Sequence, residues 1–222
     1  MNRRDFIKIS STGLLTLFLS GCGLNALNDN QTIDTANAQN SQGDDKMKIV
    51  VITGSPHKAG TSALLADKFI EGATDAGHKV FRFNSAFEDI HSCLACNHCQ
   101  MDGPCIQNDA IEQKLMSELI NADLIVLITP LYYYDMSAQI KTVIDRFHSR
   151  SDKLHHKKSI LMATAYNNAD WTMEALVDHY ETISRFMEWQ DIGKVLAIGC
   201  GSRSLIEKSD FPNQAYQIGL NL

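Results

Sequence analysis

The sequence lacks an excess of positive charge. Its 222 residues carry 20 Lys and Arg against 26 Asp and Glu, for a formal net charge of −6. That balance argues against a nucleic-acid backbone as the main partner, because phosphates require a Lys/Arg-rich face. The sequence also lacks the biases of disordered or collagen-like chains. With 44% apolar and 21% charged residues, its composition is that of a globular protein. No internal repeat is visible. The apolar run near the start, Ile9 to Leu19, is about half the roughly 20 residues needed to cross a bilayer. Cysteine, by contrast, is plentiful. Six are present, and four of them fall between positions 93 and 105.

The opening Asn2-Arg3-Arg4-Asp5-Phe6-Ile7-Lys8 places a positive segment ahead of that short apolar run, the pattern of an export signal. N-R-R-D-F-I-K resembles the twin-arginine signal, which implies export of an already folded protein. Leu19-Ser20-Gly21-Cys22 resembles a lipobox, which implies lipidation of Cys22 and a membrane anchor that does not span. The alternative is a spare cysteine in a signal cut elsewhere. Residues 22–46 are rich in Asn, Gln, Asp, Ser and Ala and have too little apolar surface to offset ordering entropy. The expected organisation is an export signal over 1–21, a lipidated flexible tether over 22–46, and one domain over 47–222. The protein would then sit on the periplasmic or outer side of the cell envelope, held by lipid alone.

From residue 47 the pattern alternates. Lys48 to Thr53, Val80 to Phe83, Leu124 to Ile128, Ser159 to Ala165 and Lys194 to Cys200 read as strands, the central ones by their continuous apolarity. Helices are predicted between them. One starts at Thr61 or Ser62 as N-cap and ends at Gly77. Others are capped by Asp109 and Ser137, and a further one runs from Trp171 to Trp189. A last helix is expected over Pro212 to Leu220. Strands alternating with helices imply an α/β fold with a parallel sheet covered on both faces. Ligands then bind beyond the carboxyl ends of the strands.

Two loops at those ends carry chemistry. Gly54 to Ser62 combines two glycines, hydroxyls and Lys58 ahead of a helix. Backbone N–H groups there attract an anion. The loop does not end in the Gly-Lys-Ser/Thr of a Walker A loop, and it lacks G-x-G-x-x-G. Thr129 to Asp135 contains three consecutive tyrosines, whose exposed aromatic area calls for a flat ligand or a subunit contact. Lys141 and Asp145, on the helix that follows, are expected to form a surface i,i+4 ion pair.

G-S-P-H-K-A-G-T-S followed by T-P-L-Y-Y-Y-D-M-S-A-Q-I-K-T-V-I-D-R resembles the flavodoxin-like, NAD(P)H-dependent FMN reductases, including the iron–sulfur flavoproteins. The resemblance covers residues 47–222. It implies a flavodoxin-like, doubly wound five-stranded sheet of order 2-1-3-4-5 and FMN as cofactor. By it, Ser55, Lys58, Thr61 and Ser62 match phosphate-holding positions. Pro130, Leu131, Tyr132 and Tyr133 match the segment lining the isoalloxazine, and Ala165, Tyr166 and Asn167 match a third flavin loop. His57, Thr61, Tyr134 and Asp135 depart from the residues common there.

Cys93-x2-Cys96-x2-Cys99-x5-Cys105 matches the compact motif of the iron–sulfur flavoproteins. Four thiolates at this spacing suit a [4Fe–4S] cluster. Structural zinc, with His98 as a further ligand, and free or disulfide-paired thiols without metal are the alternatives. Cys200 reads as a small buried hydrophobe. The resulting expectation is a flavin-dependent oxidoreductase that moves electrons between a donor and an acceptor, each a small molecule or redox protein. The flavin itself carries the chemistry, and NAD(P)H, a redox protein or a quinol is the donor. The resemblance also implies a homo-oligomer. A non-catalytic zinc- or thiol-containing lipoprotein on the same fold is the alternative. Replacing both Arg3 and Arg4 by lysine should abolish export; cell fractionation that still finds the protein in the envelope would refute the twin-arginine route.

Overall fold

A computed structural model describes residues 46–222. The expected export signal, Cys22 and the tether up to residue 45 lie outside the described residues. No described helix is long and apolar enough to cross a membrane.

Five parallel strands form one sheet in the order β2-β1-β3-β4-β5. They are β1 (Lys48–Thr53), β2 (Lys79–Asn84), β3 (Leu124–Pro130), β4 (Lys158–Thr164) and β5 (Gln190–Ala197). The helices are α1 (Thr61–Asp75), α2 (Met116–Ile120), α3 (Ala138–Asp145), α4 (Glu174–Phe186), α5 (Arg203–Ile206) and α6 (Phe211–Leu220). Successive side chains of a strand point to opposite faces, and β1 shows this directly. Ile49 and Val51 pack with Leu65, Phe69 and Ala215 on the α1/α6 side, whereas Val50 and Ile52 pack with Met116, Ile140 and Leu176 on the α2–α4 side. Each such fully buried side chain contributes about 1.5–3 kcal/mol. This is why the central strands read as unbroken apolar runs.

On the first face, α1 and α6 approach closely at two glycines. A Cβ on Gly219 would lie 2.4 Å from the Phe69 carbonyl oxygen, and one on Gly72 would lie 2.1 Å from that of Tyr216. On the opposite face, α3 starts at Ser137, whose hydroxyl accepts the Ile140 N–H, as expected.

Several boundaries differ from the sequence expectation. β5 begins at Gln190 and ends at Ala197, rather than running from Lys194 to Cys200. Its first residues are polar and partly exposed because it is an edge strand. Glu188, with φ +53°, breaks the chain between α4 and β5. The expected helix from Trp171 to Trp189 thus ends early, at Phe186, and its first turn is a separate 3-10 turn, Asp170–Met173, ahead of α4. The Asp109-capped helix opens with a π-helical stretch, Ile111–Leu115, before α2. After α3 the chain continues as 3-10 turns over Arg146–Leu154.

Candidate functional site

A cleft of about 740 Å³ opens beyond the carboxyl ends of β1, β3, β4 and β5. Its wall on the β1 side is Ser55 to Thr61. The other walls are Pro130 to Tyr132, Thr164 to Tyr166, and Cys200 to Arg203. α1 starts at Thr61 with Gly60 as an extended N-cap, and no side chain caps it. Thr61 and Ser62 are thus not the caps that were expected. Both hydroxyls instead meet the Thr164 hydroxyl at 2.9 Å. The first N–H groups of α1 are left for an anion at the positive end of the helix dipole. Ser62 is 1% exposed and sits beneath the cradle rather than on its surface. Ser55 Oγ accepts the His57 N–H at 3.2 Å and shapes the turn. Lys58 holds its ammonium 5.1 Å above the Phe87 ring. Arg203 donates to the Gly60 carbonyl at 3.4 Å, which brings a second cation to the cradle.

The tyrosine loop is a tight hairpin. Tyr132 and Asp135 exchange backbone hydrogen bonds of 3.0 and 3.2 Å. The two residues between them, Tyr133 and Tyr134, have φ of +48° and +64°. Such positions usually hold Asn or Gly, so bulky side chains there store strain. The Asp135 carboxylate holds the hairpin against α4. It lies 2.8 and 2.9 Å from His179 Nδ1 and accepts the Met136 N–H at 2.7 Å. Tyr134 packs against Trp171 with ring centroids 4.9 Å apart. Of the residues matched to the isoalloxazine segment, Pro130, Leu131 and Tyr132 line the cleft. Tyr133, at the hairpin tip, is fully exposed and lies outside its lining.

The third loop is zipped to the end of β5. Ala165 donates to Ala197, Cys200 to Ala165, and Gly199 to Asn167, at 2.9, 2.7 and 3.0 Å. Ala165 and Tyr166 line the cleft, whereas Asn167 serves as the anchor of this zipper and is not in the lining. Tyr166 lies so close to Gly201 that a Cβ there would be 2.2 Å from its ring. Sequence reasoning missed Thr164 and the segment Gly201 to Arg203. Ending β5 at Ala197 would have put that segment at a strand's carboxyl end. Cys200 is buried, as expected, and burial raises its thiol pKa. Lys141 and Asp145 form the expected surface pair at 2.5 Å.

The four clustered cysteines converge. Cys93, Cys96, Cys99 and Cys105 line one small cavity of about 20 Å³, together with Arg146 and His148. All four are free thiols. Four residues of this loop have left-handed φ: Ala95, Asn97, Gln100 and Met101, between 50° and 65°. Strain of this kind persists only where the surroundings over-determine it. Cys93 Sγ accepts the Ala95 N–H at 3.4 Å. Gly103 and Asp102 donate to the Cys99 carbonyl at 2.6 and 3.2 Å.

Arg146 holds the loop from below. Its Nη1 donates to Asp109 Oδ2 at 2.6 Å and to the His91 carbonyl at 2.9 Å. Its Nη2 donates to Asp109 Oδ1 at 3.2 Å and to the Gln107 carbonyl at 3.1 Å. The pair is 0% and 2% exposed. Asp109 also accepts the N–H groups of Ile111 and Glu112, at 3.1 and 3.3 Å, as the expected cap. A neighbouring arginine, Arg150, bonds the Gly103 carbonyl and pairs with Glu112 at 2.9 Å. Burial by itself raises the Asp109 pKa. The Arg146 hydrogen bond and the backbone N–H groups of His91 and Glu112 outweigh it and leave the carboxyl below its ordinary value.

A carboxylate with a depressed folded pKa contributes stability above its unfolded pKa, about 3.9. That contribution is lost as pH falls through the folded value. Asp109→Asn should cost about 3–5 kcal/mol at neutral pH, because it leaves Arg146 charged and unpaired. It should also flatten the fall of stability below pH ~4. Urea unfolding at stepped pH checks both; an unchanged slope would show that Asp109 is not linked to acid stability.

The sequence profile of the family described as NADPH-dependent FMN reductase matches residues 47–202. An iron–sulfur flavoprotein of Archaeoglobus fulgidus is 33% identical over 102 residues, which is 45% of each chain. Another, from Clostridioides difficile, is 32% identical over 127 residues, 55% of this chain and 56% of its own. The chain spans about half the length of the curated relatives it matches. The NAD(P)H:quinone oxidoreductase from Methanothermobacter marburgensis shares the fold at a TM-score of 0.61 and 18% identity, with 79% of this chain and 96% of that one covered. An azoreductase from Bacillus anthracis, solved in complex with FMN, has a TM-score of 0.55 and 13% identity over 78% of this chain and 98% of its own. With the sheet order and the cleft beyond its carboxyl ends, the profile match over most of the described residues is decisive: the chain belongs to the NADPH-dependent FMN reductase family.

Proposed function

We propose that this protein is a flavin-dependent oxidoreductase that holds FMN in the cleft and moves electrons between a reduced donor and an acceptor. The observation that carries the reading is the uncapped N-terminus of α1, which faces the same cleft as Pro130 to Tyr132 and Ala165 to Tyr166. The phosphate would lie on the N–H groups of α1, near Ser55, Lys58 and Thr61. Leu131, Tyr132 and Tyr166 would border the ring system. When bound, FMN supplies the redox chemistry, as an acceptor of one or two electrons. The chain's own part is to orient the ring, exclude water from one face and offset the charge of the phosphate. NAD(P)H, a quinol or a reduced protein would be the donor. The partner side of the reading includes an assembly of identical subunits and, for the exported form, a lipid tether at Cys22 on the outer face of the membrane.

Two features of the cysteine loop support a [4Fe–4S] cluster by donor chemistry rather than by volume, since the cavity has room for about one water. Its four thiols share one cavity, and a buried guanidinium N–H beside them lacks an acceptor. A zinc tetrathiolate would hold its sulfurs about 4 Å apart, given Zn–S bonds near 2.3 Å. Among the described residues, the one group of three ligand atoms within 4.8 Å of one another is His155, His156 and Glu188, not the cysteines. α3 links the two sites, since it leaves the tyrosine hairpin and ends at Asp145 and Arg146 on the cavity wall. Eight helical residues span about 12 Å.

Protein purified without oxygen should be coloured, release FMN on denaturation, and contain iron and acid-labile sulfide. Cys96→Ser should lose the iron and keep the flavin. A colourless preparation with no flavin would sink the oxidoreductase reading, whereas flavin without iron and sulfide would sink the cluster alone. The phosphate placement has its own test. Lys58→Ala should weaken FMN binding about tenfold, as expected for one hydrogen bond to a charged group. It should leave the affinity for riboflavin, which has no phosphate, unchanged. Equal losses for the two flavins, measured by fluorescence quenching, would show that Lys58 does not meet the phosphate.

A further inference from the structure

The Arg146 guanidinium is held on three sides and open on the fourth. Its two terminal nitrogens are occupied by Asp109 and by the carbonyls of His91 and Gln107. Its Nε is buried and has no hydrogen-bond partner. A buried donor without an acceptor is costly, and such groups in folded proteins call for an explanation. Loss of the side chain to water would resolve it, but Arg146 is fully buried. Rotation of the fork would also resolve it, but the bidentate pair with Asp109 fixes the plane. What lies beside it is sulfur. Arg146 shares the cavity wall with all four cysteines. Cys105 stands on that wall two residues before Gln107, whose carbonyl Arg146 already holds at 3.1 Å.

From this arrangement we infer that Arg146 is a positioning residue for the metal centre of the cysteine loop. Its Nε donates a charge-assisted hydrogen bond to the Cys105 sulfur, or to an inorganic sulfide next to it, and so raises the reduction potential of the centre. The inference rests on the cluster reading above and adds a residue outside the ligand set. The logic is electrostatic. Four thiolates around an iron–sulfur core give a net negative group, and reduction adds one more negative charge. A donor aimed at sulfur therefore stabilises the reduced form more than the oxidised form, and hydrogen bonds to the sulfurs are among the factors that set cluster potentials. No proton moves in this step, because arginine stays protonated. One electron enters from an external reductant and resides on the cluster.

The design also explains why the residue is arginine. A lysine could meet Asp109, but it has no second donor in a fixed direction. Asp109 secures that direction, and its own ties to the backbone of His91, Ile111 and Glu112 anchor it to both ends of the loop.

The test is a redox titration of the full chain carrying its cluster and FMN, followed by absorption and by electron paramagnetic resonance of the reduced cluster. Arg146→Lys keeps the positive charge and the partner of Asp109 and removes Nε. At the potential that half-reduces the wild-type cluster, the ratio of reduced to oxidised cluster should fall about tenfold, as for the loss of one hydrogen bond to a charged group. The cluster potential is read per bound cluster, from iron per chain, and the flavin potential should stay at its wild-type value. The paired change Arg146→Gln with Asp109→Asn avoids a buried unpaired charge, and it should shift the cluster potential in the same direction. Wild-type potentials in these variants would overturn the inference. A readout that needs no variant covers the case in which they fail to fold. In protein labelled with nitrogen-15 arginine, pulsed resonance on the reduced cluster should detect coupling to one arginine nitrogen, and its absence would also overturn the inference. Wild-type protein without iron and sulfide would instead overturn the cluster reading itself.

Discussion

The buried pair of Arg146 and Asp109 is the constraint on which the cysteine loop depends. Between the end of β2 at Asn84 and the helical stretch that opens at Ile111, the chain has no regular element beyond a short 3-10 turn, Ser85–Phe87. Connections this long in a compact domain are uncommon, and when ordered they are usually functional. Apolar packing does not explain the order, since Leu94, Met101 and Ile106 are exposed. The order comes from the guanidinium, which gathers the carbonyls of His91 and Gln107 and the carboxylate of Asp109 around one fixed plane. Burying two charges costs several kcal/mol each. A fold built for stability alone would gain as much from well-packed leucines. The pair is better understood as fixing one conformation of a loop that would otherwise have many, with the four left-handed residues among its cysteines as the strained outcome.

The cleft beyond the carboxyl ends of the strands is organised differently. Here the fold leaves groups unsatisfied rather than satisfying them. Thr61 and Ser62 stand where capping hydroxyls would, yet both turn to Thr164 at the end of β4. The same contacts that tie α1 to β4 keep the helix N-terminus free for an anion. The strained tyrosine hairpin is held by an Asp135–His179 contact to α4. The third wall is a zipper of backbone hydrogen bonds between the ends of β4 and β5. Each wall is thus anchored to a different element, and the sheet sets their spacing.

Much of this was legible in the sequence because the signals were local. β1, β3 and β4 lie between helices on both faces, so their apolar runs could be read directly. Ser137 and Asp109 are caps that hydrogen-bond within a few residues. What escaped depended on distant partners. The start of β5 is polar because it is an edge, and only its pairing with β4 marks Gln190 as a strand residue. Ser62 looked like a ligand-facing hydroxyl, and its real partner lies 102 residues away. Tyr133 and Tyr132 are equivalent by residue type, and only the hairpin geometry places one in the cleft wall and the other at the tip. Arg146 directly follows the surface pair of Lys141 and Asp145 at the end of α3. Its burial against a carboxylate 37 residues earlier was not encoded in its neighbours.

The two sites meet at one short helix. α3 begins where the tyrosine hairpin ends, its first turn fixed by Ser137, whose own N–H is bonded to Thr129 at the end of β3. It terminates at Arg146, the residue that organises the cysteine loop. α3 carries Ile140 and Val143 fully buried against the sheet, so it has no freedom to slide. A strut about 12 Å long between the cleft and the thiol-lined cavity fixes the distance between them. The separation is thereby set by core packing rather than by either loop. Substitutions in the hairpin can therefore reshape the cleft while the distance from its wall to the cysteines stays the same.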